Sequence, residues 1–177
     1  MFSELSHLSD HITIVLRTQR EHTRDLALRY QHHPDWSFLG RAIYTPIAFE
    51  TALKMKEVTY LHAEGMPAGF LKHGTLLLID DQTPCVFLMP PKEEKALYDL
   101  TLSRVEEVLA RKGKVIAFRL DETCGRYDGV VLSRNTSRWT VPFLHLLAGQ
   151  LLAYETAEVV GRNVDRPRSL AKSVTVS

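Results

Sequence analysis

Glu50, Lys54 and Glu57 follow one another at steps of four and three residues. On a helix these side chains share one face about one and a half turns long. A carboxylate, an ammonium and a second carboxylate held together suit proton transfer on a sugar, one Glu taking a proton while the Lys stabilises an enediolate oxygen. The same spacing is also among the commonest solvated pairings on helix surfaces, which is the competing reading. His73 stands in Gly69-Phe70-Leu71-Lys72-His73-Gly74. It offers the side chain most easily tuned for acid and base work near neutral pH. With eight His in the chain, an ordinary loop histidine is its alternative. Lys172, close to the C-terminus, can form an imine with a carbonyl if packing shields its amine, and is otherwise a solvated lysine.

Elements to position these groups are legible. Residues from about Ser9 to His32 read as a helix with an untidy apolar face, and Trp36 to Gly40 as a buried strand. Thr45-Pro46 marks a helix start, Thr as N-cap and Pro at the first position, and the pattern runs to about Leu61. His62 is then placed to satisfy that helix's C-terminus. Leu76–Ile79 and Cys85–Met89 are short apolar runs bounded by Asp, Pro or Gly, as strands are. Glu93 to Arg111 is the clearest amphipathic helix, with Gly113 past its end. Lys114–Leu120 and Val130–Leu132 are further strands, and Val141 to Val160 is a long apolar helix with Gly161 to cap it.

Strands alternating with longer helices imply a mainly parallel sheet covered on both faces. Ligands of such sheets sit at the carboxyl ends of the strands, which directs attention to Gly40–Thr45 and to the loop before the third helix. Arg41 and the amides near Pro46 can hold an anion there, although the run lacks the glycines of a dinucleotide or phosphate loop. The last residues do not read as a frayed end. Pro167 stops the preceding helix, Arg166 and Arg168 flank it, and Leu170-Ala171-Lys172 follows with no Gly/Ser linker, so the tail is expected to dock.

With 177 residues and 45% hydrophobic content, one domain with a real core is expected. Twenty-two basic against 21 acidic residues remove the electrostatic footprint of a nucleic-acid binder or a polybasic membrane protein. Cys85 and Cys124 are too few and too far apart for a zinc site or a disulfide framework, so no metal is expected. No run approaches the roughly 20 apolar residues of a membrane span, and no signal-peptide pattern opens the chain. A cytoplasmic protein with a small-molecule or protein partner is the expectation, with neither nucleic acid nor membrane.

Together, the run from Glu50 through Lys54 and Glu57 to Glu64, the Gly69–Gly74 segment, Gln150-Leu151-Leu152-Ala153-Tyr154 and the tail Asp165 to Val176 resemble the C-terminal sugar isomerase (SIS) subdomain of glutamine:fructose-6-phosphate aminotransferases, the glucosamine-6-phosphate synthases. The resemblance runs over about residues 35 to 176, and the tail is its most specific part. It implies a three-layer α/β/α SIS domain with a five-stranded, mainly parallel sheet over 35–163, an N-terminal helical segment (1–34) packed on it, and a C-terminal active-site tail (164–177). It also implies roles. Glu57 matches the base that moves a proton between C1 and C2 of the open-chain sugar, and Lys54 the lysine beside the enediol. His73 matches the ring-opening histidine, which acts in the neighbouring subunit. Lys172 matches the imine-forming lysine, Ala171 a backbone contact to sugar, and Glu50 a further site carboxylate. No cofactor is implied.

The partners implied are a sugar phosphate and either a homodimer or a companion chain carrying the first SIS subdomain and the glutaminase. Phe70, Thr75 and Ala42 stand where the family carries Glu, Pro and Gly. Phe2 stands where the family's glutaminase has its nucleophilic Cys, so glutamine hydrolysis is not expected of this chain. The family's Ser/Thr-rich phosphate loops belong to the first SIS subdomain. Ser133-Arg134-Asn135-Thr136-Ser137 is the nearest run here, and it reads more simply as a polar loop. Two functions follow: a contribution to isomerisation and amination of fructose 6-phosphate, or a catalytically incompetent sugar-phosphate binding or regulatory module.

Overall fold

A computed structural model of the chain describes residues 5–121, 126–133 and 136–168. Five strands, β1 (Asp35–Gly40), β2 (His62–Pro67), β3 (Pro84–Leu88), β4 (Lys114–Arg119) and β5 (Asp128–Val131), form one sheet in the order β2-β1-β3-β4-β5, with every pair parallel. Parallel strands covered on both faces must be apolar on both, and β3 is accordingly buried along its whole length. Phe38, Val86, Leu88, Ile116 and Phe118 point into one layer, with helices α1 (Leu8–Tyr30), α2 (Tyr44–Thr59) and α4 (Val141–Val159). Leu39, Cys85, Phe87, Val115 and Ala117 point into the other, which holds α3 (Lys95–Leu109) and two short 3-10 turns, Ala68–His73 and Thr75–Leu78. The result is the expected three-layer α/β/α architecture.

The N-terminal helix closes the β5 edge. Gln19 Oε1 accepts the Val131 amide at 3.0 Å, a ring nitrogen of His22 bonds Gly129 O at 2.7 Å, and Tyr30 donates to Asp128 at 2.6 Å. These bonds satisfy edge groups that a bare strand leaves open. Glu155 of α4, 1% exposed, is clamped from the same helix by Arg20 at 2.9 Å and Arg24 at 3.3 Å, and a buried carboxylate needs such partners.

Three local expectations are corrected. Leu76–Ile79 is no strand: Thr75–Leu78 is a 3-10 turn without buried residues, and Leu77 is 90% exposed. The fifth strand is instead β2, which has no apolar run and pairs through its backbone with β1. His62 therefore opens β2 and bonds Asp35 Oδ1 at 2.8 Å, while Tyr60 closes α2 in a left-handed conformation. Thr45 does not cap α2; the helix begins at Tyr44, and the Thr45 hydroxyl donates to Gly40 O at 3.2 Å. Gly161 takes φ +71° just past α4, as its position suggested. Among the described residues no helix is long and apolar enough to cross a membrane.

Candidate functional site

The buried positions of α2, Tyr44, Ala48, Thr51, Ala52, Met55 and Thr59, recur at helical spacing and fix which face meets the core. Glu50, Lys54 and Glu57 fall beside that stripe, on a partly exposed flank. Lys54 Nζ donates to Glu57 Oε2 at 2.7 Å and lies 3.4 Å from Glu50 Oε1. The side chains are 32%, 22% and 42% exposed for Lys54, Glu57 and Glu50, so the cluster is open to a ligand but not fully solvated. The bond to Glu57 holds the Lys54 ammonium above the ordinary lysine range against the opposing effect of burial, and Glu50 adds to it. Lys54 is thus kept as a charged donor between two carboxylates, which is what stabilising an oxyanion requires. The position of α2 is set by close contact with α4: a Cβ on Gly149 would lie 2.3 Å from Thr51 Cγ2, so only a residue without one lets the helices approach this near.

The location differs from the sheet-edge rule. Because α2 starts at the carboxyl end of β1 and ends before β2 begins, Glu57 lies toward the amino edge of the sheet, away from the carboxyl edge. One turn beyond Glu57, Tyr60 holds φ +65° and receives the tail. The Arg168 amide donates to Tyr60 Oη at 2.7 Å, and the guanidiniums of Arg168 and Arg162 lie 4.2 Å and 5.1 Å from its ring centroid. The described part of the tail is therefore docked at the Glu57 end of α2. Sequence reasoning passed over Tyr60, and a large aromatic just after a helix, followed by a late arginine pair, was the available signal. Lys172 and Ala171 lie outside the described residues.

His73 is not brought to this cluster. It sits exposed at the end of the first 3-10 turn, in the opposite layer, with its ring edge-on to Phe70 at 6.3 Å. Phe70, Leu77 and Leu78 around it are 63%, 90% and 72% exposed. The polar run before α4 is engaged within the fold: Ser133 Oγ bonds His11 of α1 at 2.6 Å, Thr136 donates to Ser133 O, and Ser137 meets Thr140. Among the described residues no His, Cys, Asp and Glu cluster is arranged to hold a metal.

Residues 36–157 match the SIS domain family model. Relatives include glutamine–fructose-6-phosphate aminotransferases [isomerizing] of Gluconobacter oxydans, 47% identical over 146 residues, and Aquifex aeolicus, 44% identical over 159. The alignments cover 80% and 88% of this chain but 24% and 26% of those proteins, so the chain spans about a quarter of their length. In structure it is similar to the C-terminal domain of the glucosamine-fructose-6-phosphate aminotransferase of Francisella tularensis, with a TM-score of 0.84 and 34% identity over 93% of this chain and 46% of that one. Tagatose-6-phosphate ketose/aldose isomerase of Escherichia coli shares the fold, with a TM-score of 0.77 at 21% identity, covering 89% of this chain and 44% of that one. The chain belongs to the SIS domain family, and within it is related to the C-terminal isomerase subdomain of the glutamine–fructose-6-phosphate aminotransferases.

Proposed function

We propose that this chain is the second isomerase half of a glucosamine-6-phosphate-forming aminotransferase, contributing to ketose-to-aldose isomerisation and amination of fructose 6-phosphate in the cytoplasm. Glu57 takes the proton from C1 and returns it at C2, and Lys54, backed by Glu50, stabilises the enediolate oxygen between the two steps. Lys172 forms the imine with the keto sugar, Ala171 contacts the sugar through its backbone, and His73 opens the ring in the site of a neighbouring subunit. A homodimer, or a companion chain with the first SIS subdomain and glutaminase, completes the site, and in the second case the companion's glutaminase supplies ammonia.

The observation that carries this reading is the Lys54 ammonium held at 2.7 Å and 3.4 Å from Glu57 and Glu50 on a half-open flank. The docked tail supports it. Arg168 is anchored one turn from Glu57, and four residues span at most about 14 Å, which bounds the reach of Lys172 from that anchor. Placement of His73 in the other layer fits action across a subunit boundary. Borohydride with fructose 6-phosphate should trap a covalent adduct at Lys172; an unlabelled Lys172 under saturating sugar rejects the imine role. Deuterium from solvent should enter C2 of the aldose product, and Glu57→Gln should abolish that.

The second reading, a sugar-phosphate binding or regulatory module without turnover, is favoured by Phe70 beside His73, where the family carries Glu. It requires binding that survives Glu57→Gln with no isomerisation in either form. Measurable turnover by the parent chain excludes it.

A further inference from the structure

Arg41 leaves the carboxyl end of β1, the strand at which the sheet order turns back. Its side chain enters the α3 layer, where Nη2 is 3.5 Å from Leu100 O. Nη1 is 3.4 Å from where a Cβ on Gly69 would be, so a bare residue 69 leaves the guanidinium its place. Arg104, one helical turn after Leu100, is 7% exposed; its Nη1 donates to Glu107 Oε2 at 2.6 Å and its Nη2 to Ser103 Oγ at 3.5 Å. Lys72, three residues after Gly69, comes within 3.6 Å of Glu107 Oε1. Glu107 thus serves both Arg104 and Lys72, and Arg41 forms no ion pair among the described residues.

Two donors here have no acceptor among the described residues. These are the buried Nε atoms of Arg41 and Arg104. Burial, and then the charge of Arg104, hold the Arg41 guanidinium below its ordinary range, so the two like charges are mutually felt. Buried charged donors left unpaired are costly, and arginine forks match the oxygens of a tetrahedral oxyanion. We propose that Arg41, Arg104 and Lys72 form a binding site for a phosphate-sized dianion between α3 and the first 3-10 turn. Arg41 and Arg104 supply the buried donors, and Lys72, 54% exposed, stands on the solvent side. The site lies in the opposite layer from Glu57 and does not depend on the function proposed for that residue. Its occupant is inorganic phosphate or the phosphoryl group of a phosphorylated metabolite, which present the same chemistry.

Calorimetric titration of the whole chain with inorganic phosphate, against sodium chloride of equal ionic strength, tests the site. Saturable binding is expected, weakened at least tenfold by Arg104→Met, several-fold by Lys72→Ala, and unchanged by Glu57→Gln. Lys72 is exposed, so Lys72→Ala keeps the test valid if Arg104→Met does not fold. No saturable phosphate binding by the parent overturns the proposal, as does a parental affinity in Lys72→Ala together with any folded Arg104 variant. Competition by fructose 6-phosphate separates the sources. Displacement of phosphate identifies a phosphoryl group as occupant and its absence identifies the free anion, either result supporting the site.

Discussion

The two layers on either side of the sheet are built differently. On the α1/α2/α4 side, three helices of 23, 16 and 19 residues cover the strands, and that layer carries Glu50, Lys54, Glu57 and the tail anchor at Tyr60. On the α3 side, one helix of 15 residues and two 3-10 turns cover the same strands, and that layer carries His73, the Arg41–Arg104 pair and Phe70, Leu77 and Leu78, exposed by 63% to 90% where no large apolar side chain on α1, α2 or α4 exceeds 51%. Groups that must keep a fixed geometry sit on a long helix held by close packing. The segment offering His73 is a short stretch of poorer hydrogen-bond geometry, in which Ala68 and Leu71 are buried and Phe70 faces outward. The closed side holds the Glu50–Lys54–Glu57 cluster on a packed helix, and the open side presents a surface.

If the helical side is the closed one, its buried polar groups must dominate the response to acid. His145 on α4 is wholly buried, and burial pushes it down to about 4 although the carbonyls of Val141 and Phe118 face its two ring nitrogens and favour the charged form. Its folded value lies below the unfolded value of about 6.5, so the unfolded chain binds the extra proton between those two pH values. Stability from this group is full above about pH 6.5 and falls as pH drops toward 4, by about 3 kcal/mol at roughly 1.4 kcal/mol per pH unit. Urea unfolding across pH 7 to 4 should show the loss in the parent and not in His145→Gln. An equal loss in both places the acid sensitivity elsewhere.

Gly149→Ala probes the same packing. The new methyl would meet Thr51, a fully buried β-branched side chain with little room to rotate. Overpacking of this kind costs about 1–3 kcal/mol, against up to about 1 kcal/mol gained from helix propensity, so a net loss of about 1–2 kcal/mol is expected. Adding Thr51→Ala should restore most of it in denaturant melts. A stabilised Gly149→Ala single variant would show that the α2–α4 contact is looser than its geometry states.

The same contrast explains what could be read from sequence. β1, β3 and β4 were legible because both their faces are covered, which makes each a continuous apolar run. β2 was not: as an edge strand with His62 and Glu64 exposed, its composition carries no strand signal, and only pairing with β1 makes it one. Leu76–Ile79 misled for the converse reason, since an apolar run signals burial only where something covers it. The Glu50–Lys54–Glu57 face was legible because its geometry is local to one helix. The placement of His73 across the sheet and the meeting of Arg41 with Arg104 are tertiary, and no spacing along the chain encodes them.

Smaller effects sharpen the comparison. Ala42, in the turn entering α2, holds φ +52°, where an L side chain is strained. Ala42→Gly should relieve about 1 kcal/mol of strain and lose part of it to the freer unfolded chain, leaving about 0.5 kcal/mol of added stability in urea melts. An unstable Ala42→Gly would mean that the turn is held by side-chain contact.

On the open side, Leu77 at 90% exposure buries almost nothing, so Leu77→Ser should move the unfolding midpoint by no more than about 0.5 kcal/mol. Measured at two protein concentrations tenfold apart, the midpoint should stay put if this layer faces solvent. A loss above about 1 kcal/mol in Leu77→Ser, with a parent midpoint that rises with concentration, would instead show the 3-10 segment covered by another subunit. In that event the two layers differ in what closes them, the chain's own helices on one side and a neighbour on the other.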